Sequence, residues 1–329
     1  HRIESLRLEA LPGAKSEYST WQELESGLET MLAGSNHIAM QYSARNSIPA
    51  VGLVDAGTVE VVRGLGKQVV SSADLVSRFE AVLSEAQIAS HFAAQKKVDV
   101  ILQGAWREIG TRVRGSGTDE FAIVTWISEA FSREGLIWEH GPNVSCGPNS
   151  ADSHYEPAAA SSRPIRSGDF VLIDLWAKLP DAGAVYYDIT WTGVVNREPS
   201  EREQTIFSTV CAARDAAISR VQQAFAANQP IRGCDADDAA RDVIRAAGYG
   251  EWFTHRTGHN IGVEIHGAGA HLDNFETHDT RLILPNTCFS VEPGIYFPGE
   301  LGVRSEVNMM TWDGRAEVTG RIQTELVRV

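Results

Sequence analysis

Residues 169–195 have the sequence DFVLIDLWAKLPDAGAVYYDITWTGVV, in which two apolar runs each contain one aspartate. The PDAG segment between the runs is typical of a tight turn, so the sequence predicts two paired strands. Asp174 and Asp188 lie 14 positions apart (188 − 174 = 14), an even offset that can place both side chains on one face. Because an unpaired carboxylate is costly to bury in an apolar strand, each acid requires a cation or hydrogen-bond donors.

Three further residues extend this pair of acids into a candidate metal-binding set. His259 lies in HRTGHNIG, Glu292 in SVEPGIY and Glu306 in GVRSEVN. Four carboxylates held together would repel one another unless cations neutralised them. Such a set suits two divalent ions that share bridging carboxylates in a hydrolytic site. If the five residues converge in space, the sequence predicts a metal-dependent hydrolase.

Each of these residues taken singly has a simpler interpretation. An Asp can pair with backbone donors or an Arg, a Glu can lie on a solvated strand face, and a lone His is more often structural. His255, His259 and His266 lie within twelve positions in a glycine-rich stretch, where glycines let the backbone approach another group closely. Their spacing alone does not decide which of the three binds metal.

The overall composition argues against several classes of protein. The chain has 329 residues, of which 43% are hydrophobic and 22% charged, as in soluble globular proteins of about two domains. A net charge of −14 argues against a nucleic-acid partner, and no apolar run reaches the roughly 18 residues of a membrane span. The four cysteines form no CxxC pair, which predicts free thiols and a cytoplasmic location. Because the sequence begins at His1 and not at a methionine, the sequence leaves open whether a signal peptide has been removed.

The apolar pattern predicts two domains, 1–75 and 76–329. In the first, residues 18–33 have helical periodicity with Thr20 as N-cap, and the segments HIAMQYS and TVEVVRGL are predicted to be short strands. We expect this part to be the closing portion of a small α/β domain whose beginning is absent. In the second domain, the pattern predicts a helical stretch over 72–110 with a break near Glu85 and a helix from Thr118 to Gly135. It also predicts helices over 200–227 and 235–247 and β-rich segments over 137–195 and 252–329.

The ordered motifs DLWA, YYDITWTG, HRTGHNIGVEIHG, SVEPGIY and GVRSEVN resemble those of the pita-bread metallopeptidases, over roughly residues 75–329. Within that family the chain is most similar to the Xaa-Pro peptidases, prolidase and aminopeptidase P. The resemblance implies an α+β pita-bread (creatinase/aminopeptidase) catalytic domain. It also implies the order of the metal ligands, which correspond to Asp174, Asp188, His259, Glu292 and Glu306. Asp188 and Glu306 would bridge two ions, Asp174 would chelate one, and His259 and Glu292 would hold the other.

The resemblance also implies catalytic and substrate-binding residues. His154, in GPNSADSHYEP, and His266, in VEIHG, match the family's two substrate-side histidines. Glu292 is expected to carry a proton from the attacking water to the leaving nitrogen. Arg304 is expected to orient Glu306 and to face the substrate.

The loop before the EPG turn departs from the family pattern. Prolidases carry an arginine on the loop before the EPG turn that is thought to hold the substrate's C-terminal carboxylate. Here that loop is ETHDTRLILP, in which the earlier position is His278 and Arg281 is the available arginine. Arg281 is therefore a candidate substrate-binding residue, while strict dipeptidase specificity is left in doubt.

The resemblance implies hydrolysis of the Xaa-Pro bond of small peptides by a homodimeric enzyme with two divalent ions, manganese ahead of cobalt or zinc. An Xaa-Pro dipeptidase (prolidase) is favoured slightly over an aminopeptidase P that acts on longer Xaa-Pro peptides. A function of a different class also stays open, that of a pita-bread module that binds peptides or proteins without catalysis. So does a related enzyme with another substrate, either a methionine aminopeptidase or a creatinase-like amidinohydrolase.

Overall fold

The computed structural model describes residues 12–329. The chain forms two compact units that part between Leu75 and Val76. The combination of helices and strands confirms the predicted α+β class. Among the described residues, no helix combines the length and the apolar character needed to cross a membrane.

The first unit contains two parallel strands, β1 (His37–Met40) and β2 (Gln68–Ser71). Helix α1 (Trp21–Leu32) precedes them, and its N-cap is Thr20, which confirms the prediction. Helix α2 (Ala56–Gly64) connects the strands. The interpretation of this unit as the end of a larger domain stays a prediction.

The prediction of a strand over residues 58–65, TVEVVRGL, is wrong, because most of this segment belongs to helix α2. Its β-branched content favours a strand. However, Asp55 accepts a hydrogen bond from the backbone N of Thr58 at 2.9 Å, which caps a helix. Val59 and Val62, three positions apart, are then buried on the same face, in an apolar cluster with Val69.

The second unit begins with the predicted helical stretch. Helix α3 (Ala73–Glu80) and helix α4 (Glu85–Arg114) are separated by a break that ends at Ser84, the N-cap of α4. Strand β3 (Thr118–Asp119) and helix α5 (Glu120–Arg133) follow, and the N-cap of α5 is Asp119. The prediction of Thr118 as the cap is wrong by one residue, because Thr118 pairs with Ile165 in a short antiparallel ladder.

Two four-stranded sheets form the centre of the second unit. The first has the order β14–β7–β6–β4 and contains β4 (Asn143–Cys146), β6 (Phe170–Ala177), β7 (Tyr187–Val194) and β14 (Val327–Arg328). The second has the order β13–β12–β9–β8 and contains β8 (Asn260–Ile261), β9 (Cys288–Val291), β12 (Val307–Trp312) and β13 (Arg315–Thr319). Strand β5 (Pro164–Ile165) pairs with β3. Strand β10 (Gly294–Phe297) pairs with β11 (Leu301–Arg304). The unit also contains the helices α6 (Glu201–Ala226) and α7 (Gly233–Ala246).

Helices pack on the two sheets and leave one face of the hairpin for the acids. Odd-numbered residues of β6 and β7, such as Ile173 and Ile189, pack in one apolar cluster with α4 and α5. Helices α6 and α7 form a second cluster with β9 and β12. Because side chains alternate along a strand, the even-numbered Asp174 and Asp188 point away from α4 and α5.

Candidate metal centre

The β6–β7 hairpin and the loop before β12 bring three acids together. In the strand register, Asp174 is opposite Thr190 and Asp188 is opposite Trp176, so the two acids are diagonal neighbours on one face. One carboxylate oxygen from each of Asp174, Asp188 and Glu306 lies within 4.8 Å of the other two.

Thr190 fixes Glu306 beside the hairpin. The backbone N of Glu306 donates to the carbonyl O of Thr190 at 3.1 Å. The Thr190 hydroxyl donates to Glu306 Oε2 at 2.7 Å and accepts from Arg304 Nε at 3.0 Å. The position of Glu306 therefore depends on β7 as well as on the loop before β12.

His259 and Glu292 approach the cluster from the second sheet. His259 Nε2 lies 3.5 Å from Asp188 Oδ2 and 3.5 Å from Glu292 Oε1. The hydroxyl of Ser290 accepts from the backbone N of His259 at 2.9 Å and donates to Glu292 Oε1 at 3.0 Å. Gly258 permits this approach, because a Cβ there would lie 2.0 Å from the carbonyl O of Ser290. All five predicted ligands thus meet in one cluster.

The carboxylates of this cluster are buried and incompletely paired. Among the described residues, Asp174 Oδ1, Asp188 Oδ1 and Glu306 Oε1 are buried oxygens that find no hydrogen-bond partner. Burial raises the pKa of Asp174 to about 7 and raises the pKa of Asp188. Burial, with the neighbouring acids, raises the pKa of Glu306 well above its usual range. Unpaired buried oxygens are costly, so this donor set fits hard divalent cations.

Arg304 and His259 lie beside these acids. Buried Arg304 contacts Asp174 through Nη2, and its Nε lies 3.9 Å from Glu292 Oε2. Burial alone would raise the pKa of Glu292, but the charges of His259 and Arg304 lower it overall. Burial alone would lower the pKa of His259, but Asp188 and Glu292 raise it overall.

The cluster opens into a cavity of about 460 Å³ that both predicted substrate-side histidines line. The ring of His266 lies edge-on to His259, with the ring centroids 4.3 Å apart. Burial, together with the neighbouring His259, lowers the pKa of His266 to about 4. His154 lies on an exposed loop, where its backbone N donates to Asp152 Oδ1 at 3.0 Å.

Arg281 lies away from this cavity, in contrast to the expectation from sequence. The Arg281 side chain is 3% exposed, and its guanidinium donates to Asp279 through Nε and Nη2 and to the carbonyl O of Ala268 at 2.8 Å. In the sequence, Arg281 was the available arginine of the loop, but Asp279 two positions earlier binds it. We therefore expect Arg281 to stabilise the loop rather than to bind substrate.

Sequence reasoning left the role of His255 undecided. Its Nδ1 donates to the carbonyl O of Arg256 at 2.6 Å, and its Nε2 accepts from the Tyr296 hydroxyl at 2.7 Å. Burial lowers its pKa to about 4. His255 is thus a hydrogen-bonded residue of the cavity lining. Its position in HRTGH, close to His259, was the feature of the sequence that indicated a place near the site.

Comparison with known proteins agrees with this geometry. Residues 90–311 match the model of metallopeptidase family M24. A 206-residue stretch is 31% identical to a Mycoplasma pneumoniae protein named as an Xaa-Pro aminopeptidase, and covers 61% of this chain and 52% of that protein. A 297-residue stretch is 30% identical to the probable dipeptidase PepE of Mycobacterium tuberculosis, and covers 89% of this chain and 71% of PepE.

The fold matches that of a solved prolidase. The crystal structure of the Thermococcus sibiricus enzyme aligns with a TM-score of 0.66 at 24% identity, and the alignment covers 100% of this chain and 83% of the other. This likeness confirms the pita-bread fold that the sequence motifs implied. The chain spans only about half the length of the Mycoplasma protein. The family match over 90–311 and the PepE similarity show that the chain belongs to metallopeptidase family M24.

Proposed function

We propose that this chain is an Xaa-Pro dipeptidase that depends on two divalent metal ions. The observation that carries the proposal is the convergence of Asp174, Asp188, His259, Glu292 and Glu306 in one cluster beside the cavity, with unpaired carboxylate oxygens. The names of relatives support the substrate class, since PepE is named a dipeptidase and the Thermococcus enzyme a prolidase.

The five residues are the ligands in this proposal. Asp188 and Glu306 would be shared between two ions, Asp174 would hold one, and His259 and Glu292 would hold the other. Two such ions would supply a nucleophilic water at neutral pH and polarise the scissile carbonyl. Manganese is our first expectation, with cobalt or zinc as substitutes, because a carboxylate-rich set accepts all three.

Glu292 is the proposed proton carrier. Nearby positive charges lower its pKa, so at neutral pH the carboxylate is ionised and able to accept a proton. The Ser290 hydroxyl holds Oε1 in place at 3.0 Å. Glu292 then passes the proton to the nitrogen of the leaving proline, which needs it because the nitrogen departs as an amine.

His266 and His154 orient the peptide. With its pKa lowered to about 4, His266 is neutral at pH 7 and keeps one ring N–H that it can donate to a carbonyl oxygen without a charge. Its edge-on contact with His259 fixes the ring beside the cluster. His154 lines the cavity from the loop after β4, so it acts on the substrate side.

Part of the cavity lining is apolar and suits a proline ring. Phe121 and Val124 on α5 contribute to it, as do Pro142, Trp176 and Ile265. An Xaa-Pro bond has no N–H to donate, so it leaves no donor unpaired against these apolar side chains. This apolar lining is compatible with proline after the scissile bond.

Two competing functions are weaker. An aminopeptidase P acting on longer peptides is supported by the name of the Mycoplasma relative. A pita-bread module that binds peptides without catalysis is not favoured, because all five ligand positions are kept and converge. The expected homodimer and cytoplasmic location stay predictions.

A substrate ladder tests the proposal. Purified protein is incubated with Ala-Pro, Ala-Pro-Ala and a longer Xaa-Pro peptide, each with manganese, cobalt or zinc. We expect cleavage of Ala-Pro above all. Equal or faster cleavage of the longer peptides would establish aminopeptidase P, and no cleavage of any Xaa-Pro peptide with any metal would overturn the assignment.

A further inference from the structure

The cavity contains few positive charges that a substrate could meet. Among the described residues that line it, two carry a guanidinium, Arg304 and Arg256, and none is a lysine. Arg304 is buried and already contacts Asp174, Thr190 and Glu292. Arg256 is thus the guanidinium of the lining that no acid of the metal cluster binds.

Arg256 is only loosely paired. Its Nη1 lies 3.9 Å from Glu276 Oε2, beyond hydrogen-bond distance, and this is its one ion pair with a described residue. The other oxygen of Glu276 accepts from the backbone N of Arg256 at 2.9 Å. The side chain of Arg256 remains 23% exposed, so its planar group of donors is available to an anion in the cavity.

A buried ion pair holds the backbone on both sides of Arg256. Arg241 donates to Asp237 through Nε and Nη2, both at 2.9 Å, and the two side chains are almost completely buried. Arg241 also donates to the carbonyl O of His255 at 2.8 Å, while Asp237 accepts from the backbone N of Thr257 at 2.9 Å. Arg256 therefore projects from a fixed segment, which favours specific binding over a mobile surface contact.

Arg256 lies in the same cavity as the reacting groups. It lines this cavity together with Glu292 and His266. A very short peptide bound at the cluster would therefore extend along a lining that includes the Arg256 guanidinium.

We propose that Arg256 binds the free C-terminal carboxylate of an Xaa-Pro dipeptide and so sets the length of the preferred substrate. This inference rests on the proposed Xaa-Pro peptidase function. A guanidinium matches a carboxylate with two parallel hydrogen bonds. A longer peptide presents a neutral amide at the same place, which offers one acceptor and no charge.

The test compares Ala-Pro with Ala-Pro-amide, which differ in the charge of the group that Arg256 would meet. In wild-type protein with manganese, we expect kcat/KM to be roughly 10- to 100-fold higher for Ala-Pro, mainly through KM, as for a hydrogen bond to a charged group. In Arg256→Gln the preference should fall to within about threefold. Arg256→Lys should retain an intermediate preference, because it keeps the charge but loses the planar geometry. Arg315→Gln, at an exposed arginine on β13, is the matched control and should keep the full preference.

The outcomes separate the two proposals. If wild-type protein cleaves neither substrate with any metal, the Xaa-Pro peptidase assignment fails. If it cleaves both equally well, or if Arg256→Gln keeps the wild-type preference, the role of Arg256 is wrong while the peptidase assignment stands. The wild-type comparison needs no variant, so equal cleavage of both substrates refutes the proposal even if Arg256→Gln does not fold. Arg256→Lys then assigns a wild-type preference to Arg256 or excludes that assignment.

Discussion

Glu292 has two roles in the proposed mechanism, as a ligand and as a proton carrier. Changing Glu292 to Gln keeps the shape and one oxygen but removes the basic site, so we expect kcat for Ala-Pro to fall by roughly 10²- to 10⁴-fold. Thermal unfolding and metal content should be measured on the same preparation. The control is Glu317→Gln, an exposed position on β13. Activity of Glu292→Gln near that of the control would rule out the proton-carrying role.

Arg304 is the buried cation beside Asp174. Its buried guanidinium contacts Asp174 and donates to Thr190. Arg304→Met would leave Asp174 without its cation, so we expect a loss of about 3–5 kcal/mol in the free energy of unfolding, as for other broken buried ion pairs. Urea unfolding of metal-free protein measures it. Arg315→Met removes an exposed arginine and should cost less than about 1 kcal/mol; an equal loss in both variants would contradict the buried-charge argument.

The segment that carries His259 is held against β9 by a close backbone contact at Gly258. A methyl group there would lie 2.0 Å from the carbonyl O of Ser290, so Gly258→Ala should push the segment off the strand. We expect a loss of about 2–4 kcal/mol in stability and weaker metal binding, because the Ser290–His259 hydrogen bond also breaks.

Gly262 offers a matched control within the same segment. Its nearest neighbours to an added Cβ lie 3.9 Å away, so Gly262→Ala adds the same methyl group without a collision. Calorimetric titration with manganese should show near wild-type affinity for Gly262→Ala. Equal effects of the two substitutions would mean that the close contact is not what positions His259.

The N-terminus of α5 holds the loop that carries His154. The buried carboxylate of Glu120 accepts from the backbone N of Cys146 at 2.7 Å, from the hydroxyl of Tyr155 at 2.7 Å and from the backbone N of Arg163 at 2.9 Å. Glu120→Gln removes an acceptor and adds donors, so we expect the loop to loosen, KM to rise about 3- to 10-fold and stability to fall by about 1–3 kcal/mol. Glu129→Gln, exposed on the same helix, should leave the KM for Ala-Pro and the stability unchanged; a wild-type KM in Glu120→Gln would contradict the role.

At the scale of elements, helices and strands could be predicted from the sequence where the local residue pattern and the tertiary packing favour the same structure. The hairpin of β6 and β7 was predictable because alternation, turn residues and two in-strand acids all indicated it. Helix α2 was missed because its β-branched residues favour a strand, and only its buried face and the Asp55 cap show otherwise. Arg281 could not be placed, because its partner Asp279 is specified by the fold of the loop and not by a motif.

At the scale of the whole molecule, the proposed metal centre lies between the two sheets of the second unit. Its proposed ligands come from β6 and β7 in one sheet and from the segments before β8, after β9 and before β12 in the other. Without cations, the buried acids repel one another, which destabilises the folded state. Ions that bind only the folded state stabilise it, by about 2.7 kcal/mol at a concentration 100 times Kd.

Thermal unfolding after chelation and after addition of manganese tests this coupling. We expect metal to raise the Tm of the wild-type protein by several degrees. Asp188→Asn removes one buried charge and one shared ligand, so the metal-free variant should be more stable than metal-free wild type, while the gain on adding manganese should shrink. The two effects have opposite signs, which a general packing defect would not produce. If Asp188→Asn lowered the metal-free Tm and kept the full gain with manganese, Asp188 would be a structural acid and not a shared ligand.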